Sequence, residues 1–489
     1  PLIWNRCSGR DRLARITLFV YTTGMINKKV LMGAVACVAA AIAVNAALWA
    51  MRQRSRSVPT ERVAVRAAAC EILEAKCLAC HDSRKPLPFY AMLPGPGSLV
   101  RKDVREGIRH WDLYDVGHLG DAATVGQKEA EEVPLGRLIK LRRTVADGTM
   151  PPIQYRLAHW GTTLNASERQ ILNAWVGQVW GAWLSGWGLG DAAAADVHPV
   201  PQALPYDAAK AALGERLYHD TRFSADNTVS CASCHAFDKG GTDNLPFSVG
   251  VGGLKGGVNA PTVFNALFNM RQFWDGRAEH LAAQAGGPPL NPVEMASKDW
   301  AEIVAKFEQD AALKTAFTTV YPQGFCEATL CDAIAEFERR LITPNARFDK
   351  FLAGDLAALS EQEKRGYALF GAHRCATCHA GPALGGLSFE YADLKADYFA
   401  GRALTEGDAG LAAFSKNPAD AKRFKVPLLR NIALTAPYLH DGSQTNLKET
   451  VRVMMKHQVG ASAAEADLDA LTALLGSFTG ELFGQPLVP

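Results

Sequence analysis

The residues best suited to chemistry are three copies of Cys-x-x-Cys-His: Cys77-Leu-Ala-Cys80-His81, Cys231-Ala-Ser-Cys234-His235 and Cys375-Ala-Thr-Cys378-His379. Thiols at this spacing add to the two vinyl groups of a haem, and the histidine that follows falls under the iron as its proximal ligand. The competing readings are a zinc ribbon and a redox dithiol. A zinc ribbon pairs two Cys-x-x-Cys units around one metal and does not need a histidine directly after each. The spacing therefore predicts three covalently bound haem c groups. A haem with two protein ligands carries electrons, whereas one with a vacant sixth position can react with a substrate. The candidate sixth ligands are methionines and the histidines outside the motifs.

The elements that must position these motifs read as helical. Ser360-Glu-Gln-Glu363 is a capping box that starts a helix delivering Phe370 to the third motif. Asn165 is an N-cap with Glu168 three residues on, and Ile171, Leu172, Trp175, Val176 and Val179 then mark one helical face. Leu468, Leu471, Leu475 and Phe478 repeat the pattern. No extended alternation competes, so the expected class is all-α: three cytochrome c-type haem domains after an N-terminal transmembrane helix. The expected divisions are an N-terminal segment and tether (1–60), a mono-haem domain (61–185), a Gly/Pro-rich linker (186–205), a second haem domain (206–345) and a third (346–489).

The chain has 489 residues, long enough for three domains, and its 52 basic and 50 acidic residues give no support for nucleic-acid binding. Of eleven cysteines, six belong to the motifs. Cys326 and Cys331 are close enough in sequence to pair in an oxidising compartment; two free thiols near a helix start is the alternative. Cys7, Cys37 and Cys70 read as bystanders. Val30–Met51 is a 22-residue run whose one strongly polar member is Asn45, long enough to span a bilayer. It exceeds an ordinary signal core, which favours an anchor over a cleaved signal. Basic residues flank both ends, so charge does not orient it.

Residues 206–481 resemble the bacterial di-haem cytochrome c peroxidases. The stretches that carry the resemblance are Gly240-Gly-Thr-Asp-Asn-Leu-Pro246, Asn259-Ala-Pro-Thr262, Gln272-Phe-Trp-Asp-Gly-Arg-Ala278, Asn291-Pro-Val-Glu-Met295, Leu341-Ile-Thr-Pro-Asn-Ala-Arg-Phe-Asp-Lys350, Lys425-Val-Pro-Leu-Leu-Arg-Asn431 and Leu434-Thr-Ala-Pro-Tyr-Leu-His-Asp-Gly-Ser443. The extra N-terminal haem unit and anchor resemble the tri-haem, membrane-bound quinol peroxidase branch. In that unit Lys85-Pro-Leu-Pro-Phe-Tyr90 and Asp147-Gly-Thr-Met-Pro-Pro152 resemble a small haem-binding domain.

The resemblance implies hydrogen peroxide as substrate, quinol or a small cytochrome c as electron donor, and a periplasmic catalytic part held at the bacterial inner membrane; it also allows a homodimer. It implies that the second unit holds the peroxide site and the third an electron relay. Glu294 and Gln284 match the distal catalytic pair, and Trp274 the aromatic between the two haems. Met454 matches the relay's sixth ligand, with Met455 as the competing register. Asn259, Thr435 and Pro437 match the ligands of a calcium ion. For the first haem Met150 is the preferred sixth ligand, with His110, His118 and His159 as competitors. Many relatives carry a histidine in the loop after the second motif that ligates the peroxide-site iron at rest. Here the loop is Ser248-Val-Gly-Val-Gly-Gly-Leu-Lys-Gly-Gly-Val258, and Val251 stands at that position. A valine cannot ligate iron, and Lys255 is the one conceivable substitute in the loop. Two rival readings remain at this point. One is a MauG-like enzyme oxidising a partner protein, which would use Tyr rather than Met at the relay. The other is a pure electron-transfer cytochrome.

Overall fold

The computed structural model describes residues 57–113, 135–152, 155–156, 162–189 and 195–488, with isolated positions between 36 and 43. The N-terminal part is carried by α1 (Arg62–Lys76), α2 (Pro96–His110), α3 (Leu135–Asp147) and α4 (Ala166–Gly186). Helix α4 starts where the sequence places it. Asn165 Oδ1 accepts from Glu168 N at 2.9 Å, and Glu168 returns the bond to Asn165 N at 2.8 Å. Its apolar face, Ile171, Leu172, Trp175, Val176 and Val179, packs on Val65, Ile72 and Leu73 of α1 and on Leu138 and Ile139 of α3. Lys76, the last residue of α1, donates to Glu168 at 2.6 Å, with both side chains under a tenth exposed. That pair ties the end of α1 to the start of α4, one residue before Cys77.

The two later motifs are presented by matching helix pairs. Helix α5 (Ala208–Tyr218) precedes the second motif and packs on α6 (Glu327–Glu338). Helix α7 (Glu361–Ala372) precedes the third and packs on α8 (Glu465–Gly476). Each crossing is closed by a glycine. A Cβ at Gly214 would lie 1.9 Å from Ala333 O, and one at Gly366 2.2 Å from Ala470 O, so no larger residue allows the approach. The Ser360 cap of α7 is formed as read, with Glu363 donating from its backbone to Ser360 Oγ and accepting from Ser360 N.

Two expectations need correction. The fold is mostly helical rather than all-α. Strand β1 (Phe389–Tyr391) pairs antiparallel with β2 (Arg423–Lys425), and Glu481–Leu482 pairs with Gln485–Pro486. Strands of two or three residues are too short to show an alternation. The predicted linker is packed in its described part. Val200 and Leu204 are buried against Ala266, Leu267 and Phe268, and Trp187 stands edge-on to Phe268 at 5.0 Å. Its Gly/Pro content reports a chain without helix, not one without contacts. Cys326 and Cys331 are both free thiols. Cys326 is the extended N-cap of α6, and Cys331 lies on the helix's buried face.

Among the described residues no helix is long and apolar enough to cross a membrane. The predicted span at 30–51 lies outside them but for isolated positions, as do Cys7, Cys37, His118 and His159.

Candidate functional site

Each motif histidine sets its Nδ1 against a backbone carbonyl: His81 on Trp111 O at 2.8 Å, His235 on Gly241 O at 3.2 Å, His379 on Leu384 O at 3.1 Å. A carbonyl only accepts, so Nδ1 carries the proton and Nε2 is left as the basic nitrogen, the arrangement an axial metal ligand requires. Burial also lowers the pKa of all three, that of His379 to about 4, which keeps the rings neutral. Burial drives the neighbouring thiols the other way, Cys77 and Cys378 to about 12.

A cavity of about 800 Å³ joins two of the motifs. Its wall carries His81, Trp111 and Met150 from the N-terminal part, and Cys375, Cys378, His379 and Met454 from the C-terminal part. Asn259, Trp274, Thr435 and Pro437 line it as well. Phe370, Val426, Leu428 and Leu471 make much of it apolar. Buried donors within it, Trp111 Nε1 and Thr377 Oγ1, have no protein partner among the described residues. An apolar slot with basic imidazole nitrogens and spare donors fits porphyrins carrying polar edges. The two parts are fastened around this slot. Lys140 Nζ bonds Glu390 Oε2 at 2.5 Å and His110 O at 3.1 Å, Arg109 pairs with Asp393 at 2.6 Å, and Gly136 N donates to Leu387 O at 3.0 Å. His110 itself faces Lys395 Nζ at 3.3 Å, and burial with the lysine charges lowers its pKa to about 4.

Of the two adjacent methionines, both of which reach the cavity wall, Met455 is 2% exposed and packs in the apolar cluster with Phe370, Leu468 and Leu471. Met454 ends its helix (Leu447–Met454) half-buried on the cavity wall. Trp274 is held on a tight turn closed by Gln272 N to Ala278 O, and its indole N–H donates to Asn259 O at 2.8 Å. Asn259 in turn donates through Nδ2 to Leu245 O, which leaves its Oδ1 without a donor among the described residues.

The second motif is separate from the cavity wall. Glu294 lies close enough for its charge to raise the Cys234 thiol pKa. Burial raises the pKa of Glu294, while the Arg277 cation and a 2.6 Å bond from Asn291 Nδ2 work against that rise. Gln284 is half-buried on the short helix Leu281–Ala285 and shares no hydrogen bond with Glu294. The loop after the motif folds onto this turn. Val251 N donates to Glu294 O at 2.8 Å, and a Cβ on Gly250 would lie 2.3 Å from the same oxygen. Lys255 is exposed.

Three residues of these sites, Asn291, Arg277 and Lys425, are not singled out by the sequence. Asn291 has a local signal, since an Asn-Pro turn three residues before a glutamate can cap it. Arg277 and Lys425 have none, because their surroundings come from distant segments.

A sequence profile of the di-haem cytochrome c peroxidase family matches residues 208–357, and one for a haem-binding domain matches residues 39–178. The chain is 46% identical over 411 residues to the cytochrome c peroxidase Ccp of Escherichia coli, covering 83% of this chain and 86% of that protein. It is 40% identical over 300 residues to the cytochrome c551 peroxidase of Nitrosomonas europaea, covering 60% and 87%. Among solved structures it is similar to a MauG-like protein associated with microbial copper homeostasis, with a TM-score of 0.52 and 29% identity over 59% of this chain and 94% of that one.

Proposed function

The chain belongs to the cytochrome c peroxidase family, and on that premise we propose that it is a tri-haem peroxidase: two electrons and two protons convert one hydrogen peroxide into two waters. The observation that carries this reading is the half-buried Glu294 carboxyl, braced by Asn291 and within the field of the Arg277 cation, beside a haem motif whose following loop supplies no sixth ligand. When bound, the haems supply one-electron storage and an iron at which the peroxide O–O bond is broken. Glu294 takes the proton from the near peroxide oxygen and gives it to the far one, which then departs as water. Gln284 holds the bound oxygen through an amide that does not compete for protons. Trp274 fills the space between the second and third units. A peroxide titration followed by ultraviolet–visible absorption tests this: a pure electron-transfer cytochrome gives no response.

Cys77/Cys80, Cys231/Cys234 and Cys375/Cys378 would attach the three haems, with His81, His235 and His379 as proximal ligands. Met150 and Met454 are the proposed sixth ligands of the first and third. The shared cavity supports electron delivery from the first unit to the third and on to the second. Asn259, Thr435 and Pro437 offer only neutral oxygen donors on one wall, a set that suits calcium. The free Oδ1 of Asn259 supports that assignment. The donor is quinol or a small cytochrome c. The apolar run at 30–51 would hold the chain at the inner membrane with its catalytic part in the periplasm, and a homodimer is compatible with this arrangement.

Two outcomes are expected from this arrangement. Met454→His replaces a thioether by an imidazole, so the potential of the third haem should fall and donor-driven turnover with it. An unchanged potential on redox titration would give the ligand role to another residue. Arg277→Gln removes the cation that opposes the raised pKa of Glu294. Its pKa should rise further, and the acid limb of the kcat/KM profile should move to higher pH. A limb that stays in place would separate Glu294 from the titration.

A further inference from the structure

We propose that Lys425 is the cation that pairs with a haem propionate in the cavity beside the third motif. This rests on the third unit binding haem, as proposed above. Lys425 ends β2, and its side chain lines the cavity at 4% exposure. Its backbone is fixed on both sides: Lys425 N donates to Trp274 O at 2.8 Å, and Phe389 is its cross-strand partner. The ammonium has no acceptor among the described residues. Other buried cations do: Arg430 pairs with Asp349 at 2.6 Å and Lys76 with Glu168 at 2.6 Å.

Burying an unpaired ammonium is strongly unfavourable, so a cation kept in such a place implies an anion that the protein chain does not itself provide. Glu390, in the facing strand, is already taken by Lys140 at 2.5 Å. Of the cations on the cavity wall, Lys140 pairs with Glu390, Arg143 with Asp196 and Arg374 with Asp147, while Lys395 faces His110 and Lys425 meets no carboxylate among the described residues. A carboxylate on an otherwise apolar ligand would answer the unpaired Lys425 ammonium, and a haem carries two. Burial pushes Lys425 down to about 8 when nothing anionic is near it, and a carboxylate partner would restore the charge.

The test uses the full-length holoprotein and the variants Lys425→Gln and Lys425→Arg. Haem per chain is measured by the pyridine haemochrome assay, and each haem is titrated optically against potential. A positive charge beside a haem favours its reduced form. In Lys425→Gln the reduced-to-oxidised ratio of one haem should fall about tenfold or more at fixed solution potential, about 59 mV, and Lys425→Arg should restore it. Loss of haem in the glutamine variant alone, with retention in the arginine variant, supports the pairing equally. Unchanged potentials in a fully loaded Lys425→Gln protein overturn the proposal, as does equal damage in both variants. Peroxide turnover of the unmodified protein is measured alongside. Its absence would defeat the peroxidase reading, whereas unchanged potentials in an active enzyme defeat only the role of Lys425.

Discussion

Glu294→Gln should lower peroxide turnover by about 100- to 10,000-fold while all haems remain attached. The amide keeps the size of the side chain and can still meet Asn291, so the loss would report the proton and not the packing. Glu294 is suited to the task because burial raises its pKa while Arg277 and Asn291 keep the carboxylate within reach. Such a group can both accept and return a proton. A variant within twofold of the parent would remove Glu294 from the mechanism, and a loss of haem would show a structural role instead.

Val251→His should convert an enzyme that reacts at rest into one that needs prior reduction. The loop around residue 251 already rests on the Glu294 turn, through Val251 N to Glu294 O and the close approach at Gly250. No side chain of that loop offers a ligand, Lys255 being exposed. The parent protein, fully oxidised, should therefore give a high-spin ferric signal by electron paramagnetic resonance and react with peroxide directly. An introduced imidazole should turn that signal low-spin. Its initial rate should fall about tenfold or more, since a ligation free energy of only about 1.4 kcal/mol already closes roughly nine sites in ten. Pre-reduction should restore the rate. Three low-spin haems and no high-spin component in the parent would contradict the open site.

What could be read from the sequence is what is local. The three haem motifs, the Asn165 and Ser360 caps and the buried face of α4 each depend on residues within a turn or two of one another, and the caps and the face are formed as read. Glu294, Gln284 and Met454 were nameable only through resemblance; nothing in their own spacing marks them. The cavity that joins the first and third motifs was not legible, because it depends on contacts such as Lys140 with Glu390, 250 residues apart. The same holds for Lys425, which in sequence is an ordinary lysine before Val-Pro and becomes a buried, unpartnered cation among the described residues only once β2 pairs with β1. The packing of the linker was hidden for the same reason, since its Gly and Pro residues say nothing about the Phe268 cluster that covers Val200 and Leu204. Cys326 and Cys331 are near in sequence, but both are free thiols, one an extended N-cap and the other on the buried face of α6.

Steady-state peroxide reduction by the purified, haem-loaded protein, run in parallel with quinol and with a reduced small cytochrome c, tests the central claim most directly. The expected result is sustained peroxide consumption with at least one donor, at two donor electrons per peroxide. A fully haem-loaded protein that neither donor turns over would contradict it.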